Sequence, residues 1–147
     1  MTPSVHLTVA AIVCLDHKFL CVRETDNGKS CINQPAGHVE PGESIIEATC
    51  RETLEETGWR VEPGYLLGFT YYLSPHNGVS YHRITLACRT IVHETETIDP
   101  DIDAVLWLNE KELRKRSIEH RSPMVMRSVE DYLAGNYYPL EILRDYR

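Results

Sequence analysis

Basic charge, paired cysteines and long apolar runs are all scarce in this chain, and each scarcity removes a class of function. The five cysteines, Cys14, Cys21, Cys31, Cys50 and Cys88, are odd in number and contain no C-x-x-C pair. That speaks against a disulfide framework and for reduced thiols, hence an expected cytoplasmic location. No apolar stretch approaches the ~20 residues that a bilayer-crossing helix needs, so no membrane partner is expected. The start, MTPSVHLTVA, lacks a basic region followed by an apolar core, which argues against secretion. Lys and Arg number 15 against 22 Asp and Glu, a formal charge of −7, which argues against a nucleic-acid partner. A small phosphorylated substrate stays open, because a bound metal inverts the local charge. The histidines show neither H-x-x-x-H nor H-x-H spacing, so no zinc site is expected.

What remains is an ordinary globular composition, 42% apolar and 25% charged. Its 147 residues, without repeat, low-complexity tract or linker, suit a single domain over 1–147. Val5 to Leu15 reads as a strand, Asp16-His17-Lys18 as a turn, and Phe19 to Arg23 as a second strand. Thr25 to Ser30 is polar and reads as a loop. Two long strands, about Trp59 to Tyr72 and Val79 to Val92, flank the turn residues Ser74 to Gly78. An acidic loop, His93 to Asp103, leads to a short strand, Ala104 to Leu108, and Asn109 with Glu112 caps a brief helix. Ser122-Pro123 opens a last helix that ends at Gly135. Tyr137 to Arg147 is either a docked tail or part of a subunit contact, and monomer and homodimer stay open. Strands on both sides of a central helix, with a helix near the end, predict an α+β protein, an α/β/α sandwich around a mixed sheet.

The densest chemistry lies between Gly37 and Trp59, GHVEPGESIIEATCRETLEETGW. Ser44 and Glu47 form a capping box, and Gly58 stops the helix in the left-handed region. At about 100° per residue, Glu55, Glu52 and Glu56 fall near 40°, 100° and 140° from Arg51, one acidic wall. Thr53, Ile46, Thr57, Cys50 and Leu54 form the opposite, packing stripe. On a solvated helix such like-charge neighbours cost only ~0.2–0.5 kcal/mol per pair, so the wall is compatible with a plain interaction surface. In a cleft, two carboxylates ~5.5 Å apart repel by roughly 3 kcal/mol at an effective dielectric of ~20. Protonation or a hard cation, magnesium or manganese, then relieves them.

Gly37, Glu43, Arg51, Glu52, Glu55, Glu56 and Gly58 stand in the register Gly, five residues, Glu, seven residues, Arg-Glu-U-x-Glu-Glu-x-Gly-U. This resembles the box of the Nudix hydrolases. Thr53 and Trp59 depart from the aliphatics usual at the two U positions, which are packing positions. The resemblance extends to the strand before the box, the hairpin after it and the run from Asp101 to Leu113. It implies the Nudix fold, with the loop–helix on one side of the sheet and the C-terminal helix packed on it. It implies magnesium, with manganese as an alternative, held by the Gly37 carbonyl, Glu52 and Glu56, with Glu55 a further ligand or water partner. It implies Glu52 or Glu55 as base, with Glu94 and Glu96 in the acidic loop still open, and Arg51 paired to Glu43. Asn33 to His38, Arg121-Ser122-Pro123 and Tyr138 to Glu141 resemble members that hydrolyse nucleoside di- and triphosphates. The same members act on the hydroxymethylpyrimidine diphosphate of thiamine metabolism. ADP-ribose, dinucleoside polyphosphates and oxidised nucleotides are rival substrates, and a non-catalytic binding module is a rival of another class. Arg23, Lys29 and Arg83 are candidate phosphate contacts. Tyr71, Tyr72, His76 and Tyr81 are candidate stacking residues, Tyr71 foremost, and His38 is read as structural.

Overall fold

The computed structural model describes residues 4–147. Met1, Thr2 and Pro3, the first residues of the start read above as arguing against secretion, lie outside the described residues. Strand β1 (Val5–Leu15) is the spine of the fold. It pairs in parallel with β6 (Ser80–His93) and antiparallel with β4 (Ala36–His38) and with the beginning of β2 (Lys18–Asp26). Beyond β6 lie β5 (Trp59–Leu73) and the two-residue β8 (Tyr138–Pro139), both antiparallel. β2 carries β3 (Lys29–Asn33) on one edge and β7 (Ile102–Asn109) on the other. One parallel pair among antiparallel ones makes the expected mixed sheet.

Val9 to Val13 of β1 are all at most 1% exposed, a continuous buried run rather than an alternating one. Such a run belongs to a strand covered on both faces. Ile12 faces one core with Phe19, Leu67, Leu113 and Val129, which brings in helices α2 (Glu110–Lys115) and α3 (Met124–Ala134). Ala11 and Val13 face the other core with Val61, Leu86 and Ile45, the last from helix α1 (Ile45–Thr57). Helices thus cover both sides of the sheet, the sandwich predicted from the element order. No helix among the described residues is long and apolar enough to cross a membrane.

The segment Thr25 to Ser30 is not a loop. β2 and β3 run to within two residues of each other and turn at Asn27-Gly28, both with positive φ (50° and 76°). That is the Asn-Gly signature of a tight hairpin whose twist matches its strands. The tail docks: β8 pairs with Tyr65 and Leu66, and Leu140 and Leu143 pack against the α1-side core.

Candidate active site

Helix α1 is fixed at both ends by the predicted devices. Ser44 Oγ accepts from the Glu47 amide at 3.1 Å while Glu47 Oε1 accepts from the Ser44 amide at 2.9 Å. Gly58 sits at φ 77° with its N–H on the Leu54 carbonyl at 2.9 Å. A Cβ at Gly58 would lie 2.0 Å from the Thr95 carbonyl oxygen, which is backbone. Strain and clash therefore coincide there, and Gly58→Ala is expected to lower stability by about 2–4 kcal/mol, read by chemical denaturation.

The buried seam of α1 is Ala48, Thr49, Thr53, Glu56 and Thr57, rotated from the predicted stripe toward the carboxylates. Thr49, Thr53 and Thr57 each donate to the carbonyl four residues back, at 2.8, 2.7 and 2.6 Å. Those bonds satisfy the hydroxyls and let Thr53 seat the helix where an aliphatic was expected. Trp59, the second departure, packs edge-on to Trp107 with ring centroids 5.6 Å apart.

The rotation takes Glu56 inside. It is 7% exposed, and its Oε1 accepts from the Ala36 amide of β4 at 2.9 Å. Burial pushes its carboxyl up to about 8, opposed by the Ala36 bond and reinforced by Glu24, Glu52 and Asp99. Glu52, half-buried, is also raised, by burial first and with Arg51 opposing. Its carboxylate lies against Gly37, where a Cβ would come within 2.2 Å of Glu52 Cδ.

Arg51 ties the loop to the helix. Its Nε and Nη2 grip Glu43 at 2.5 and 2.9 Å, Nη2 also reaches the His38 carbonyl at 3.0 Å, and Nη1 touches Glu52 at 2.9 Å and Glu55 at 3.1 Å. The Arg51 hydrogen bonds hold the Glu43 carboxyl below its ordinary range. Among the described residues no group of three or more His, Cys, Asp or Glu converges on an ion position. Glu52, Glu55 and Glu56 are therefore not a preassembled trio, since Arg51 Nη1 lies between the first two.

A cavity of about 240 Å³ opens on the other elements that meet β4. Ala36, Gly37 and His38 form the wall it shares with the carboxylates, and Arg83, Tyr72, Tyr81 and His76 contribute from β5, β6 and their connection. Of the predicted phosphate contacts only Arg83 reaches it, while of the predicted stacking residues Tyr72, His76 and Tyr81 do and Tyr71 does not. Arg23 is engaged by Glu119 at 2.9 Å and Ser30 at 3.0 Å. Lys29 is exposed on β3, paired with Asp26 of the lining but not itself part of it. Tyr71 projects from the opposite face of β5, 59% exposed and against His82. Glu94, expected as a possible base, instead pairs with Arg60 at 2.6 Å, while Glu96 is near His93. His38 is in the cavity wall and hydrogen-bonds His6 at 2.8 Å. Glu24 was missed, and Asn33 and Arg121 were read only as parts of segments that resemble the family: Glu24 Oε1 meets Arg121 Nη1 at 2.8 Å across 97 residues, a pairing with no local sequence signal.

A family profile described as NUDIX domain matches residues 5–128. The chain is 39% identical to "Phosphatase NudJ" of Shigella boydii serotype 4 over 142 residues, covering 96% of this chain and 92% of that protein. "Phosphatase NudJ" of Escherichia coli K12 is 38% identical over the same shares. Among solved structures, a NUDIX hydrolase from Nitrosomonas europaea superposes with a TM-score of 0.93 at 41% identity, covering 99% of this chain and 98% of that one. With the box in register, its helix seated beside a cavity and these likenesses spanning nearly the whole length, the chain belongs to the Nudix hydrolases, enzymes that act on phosphoanhydrides.

Proposed function

We propose that the chain, as one domain, is a magnesium-dependent phosphatase of small diphosphates in the cytoplasm. Its favoured substrates are nucleoside di- and triphosphates and hydroxymethylpyrimidine diphosphate. The observation that carries this reading is Glu56, a carboxylate buried against β4 and raised to about 8, with Glu52 pressed onto Gly37 beside it. Two such groups one turn apart lose most by burial when no cation is near, and an oxygen-rich set of this kind fits a hard divalent ion. Gly37 supports the fit, since any side chain there would displace Glu52 from its place against β4.

The Gly37 carbonyl, Glu52 and Glu56 would hold the ion, with manganese able to substitute. When bound, it supplies charge neutralisation at the pyrophosphate oxygens and a more acidic water. Arg51 positions Glu52 and Glu55 while Glu43 anchors Arg51 to the loop. Proton acceptance from the attacking water falls to Glu52 or Glu55, the two carboxylates that Arg51 Nη1 touches. The cavity of about 240 Å³ beside β4 has room for the organic part of a small diphosphate. Every box carboxylate is in place, unlike a module that has given up catalysis.

The test is a panel of nucleoside di- and triphosphates, hydroxymethylpyrimidine diphosphate, ADP-ribose and dinucleoside polyphosphates with magnesium. Inorganic phosphate released directly from the small diphosphates is the expected result. Turnover confined to ADP-ribose or dinucleoside polyphosphates would overturn the substrate reading.

A further inference from the structure

The geometry points to Arg121 as the phosphate contact of the cavity beside β4: its guanidinium meets the phosphoryl group bonded to the organic part of the substrate, and Glu24 presents it. This rests on the functional reading above and adds a residue to that site.

Among the described residues that line the cavity, Arg83 and Arg121 are the two with a guanidinium, and none is a lysine. Arg83 is closed to a ligand, 3% exposed with Nη2 on Gln34 Oε1 at 2.6 Å. Arg121 is open, its side chain 38% exposed. Of its five N–H donors, one on Nη1 goes to Glu24 Oε1 at 2.8 Å. Asp26 stands 3.8 Å from Nη2, too far for a hydrogen bond. Among the described residues Nε and Nη2 have no hydrogen-bond partner, and neither is sealed from water as Arg83 Nε is. That free Nε–Nη2 edge is a fork able to grip two phosphate oxygens at once.

The backbone beneath this side chain is fixed on both sides. The Arg121 N–H donates at 2.9 Å to the carbonyl of Ile32, a core residue of β3, and His120 bridges the same residue. Ser122 Oγ then accepts from the Met124 amide at 3.2 Å at the start of α3. With the backbone and one N–H already held, the guanidinium loses little freedom when it takes a ligand.

Placement decides which phosphate it meets. Arg121 lines the cavity, whereas Glu52, Glu55 and Glu56 do not. The organic part fills the cavity and the anhydride is cleaved at the carboxylates, so the phosphoryl group within reach of Arg121 is the one next to the organic part. That group also passes Glu24 and Asp26, which line the same space. A phosphate roughly 6 Å from a carboxylate loses about a hundredfold in affinity at an effective dielectric of ~20. With Arg83 closed, Arg121 is the cation of the lining that offsets this repulsion.

The experiment titrates AMP, which keeps that phosphate and has no anhydride to cleave, into the protein freed of metal by a chelator. Arg121→Ala is expected to weaken AMP binding by between about 10- and 100-fold, and Glu24→Gln to tighten it by about 3- to 10-fold. Both variants break one ion pair, so a purely structural role would weaken both, and that result overturns the inference. An AMP affinity that Arg121→Ala leaves unchanged overturns it too, as does the absence of AMP binding by the unaltered protein. The Arg121→Ala loss is expected to persist at about 0.5 M potassium chloride, where the field of a distant charge is screened. A loss that vanishes there removes the direct contact. Opposite shifts in the two variants with no hydrolysis of any diphosphate would keep the contact and remove the proposed reaction. Should Arg121→Ala fail to fold, Arg121→Gln, which can still donate to Glu24 but is uncharged, decides by the same titration.

Discussion

Glu56→Gln is expected to raise the melting temperature of the metal-free protein at pH 8 and above, while lowering kcat with magnesium by about 10²–10⁴-fold. The two effects have one cause. Glu56 is buried with, among the described residues, one backbone donor, Ala36, for its charge, and burial raises its carboxyl from 4.5 to about 8. The folded state consequently holds a proton that the unfolded chain releases. The stability this contributes is fully present below about 4.5 and is lost as pH rises through about 8, with a span on the order of a few kcal/mol. Gln keeps an oxygen for the Ala36 amide and cannot ionise, so the metal-free variant should lose much of that pH dependence. Magnesium should stabilise the unaltered protein most at high pH, where the charged Glu56 needs it, and stabilise the variant much less. Thermal denaturation from pH 5 to 9, with and without the ion, and steady-state kinetics measure both halves. A variant less stable at pH 8, or one with full turnover, would remove Glu56 from the metal site.

That Glu56 points inward was only half legible in the sequence. Helical spacing put it at the edge of an acidic wall, and the wall was read as one surface. Which edge turns toward the sheet depends on what α1 packs against: Thr53 and Thr57 were read into the packing stripe, but Ala48, Thr49 and Glu56 of the same seam were not. The helix itself was plainly written, because Ser44, Glu47 and Gly58 act locally. The Asn27-Gly28 hairpin was equally local, and the signal was overridden by the polarity of its neighbours.

The substrate side was harder for a reason of register. A strand's side chains alternate faces, so choosing Tyr71 over Tyr72 requires the parity of β5. That strand shifts register against β6 at three places, between Arg60 and Val61, Pro63 and Tyr65, and Leu66 and Gly68. Each irregularity disturbs the count from any anchor upstream. Tyr72 and Tyr81, which pair directly, end on the cavity face with Arg83, and Tyr71 with His82 ends on the other. Arg23, Lys29 and Arg83 were likewise indistinguishable as isolated basic residues. Their fates were set by Glu119 and Gln34, which sequence separation hides.

Gly37→Ala is expected to cost about 10²-fold in kcat while changing stability by no more than about 1 kcal/mol, the reverse of Gly58→Ala. The added Cβ would arrive 2.2 Å from Glu52 Cδ and 2.3 Å from its Oε1, so something must move. The obstacle is the far end of a flexible side chain, which yields cheaply, whereas at Gly58 it is the Thr95 backbone. Gly37 also lies in extended β4 and not in the left-handed region, so alanine meets no backbone strain. What is lost is the placement of the Glu52 carboxylate against Gly37 of β4, and a displacement near 1 Å is enough to cost about two orders of magnitude. Because both changes act through one carboxylate, Gly37→Ala added to Glu52→Gln should lower kcat little further. Multiplicative losses in the double variant would mean that Gly37 acts by some route other than Glu52. A Gly37→Ala protein with normal kcat and normal stability would mean that the carboxylate has no need of that place at all.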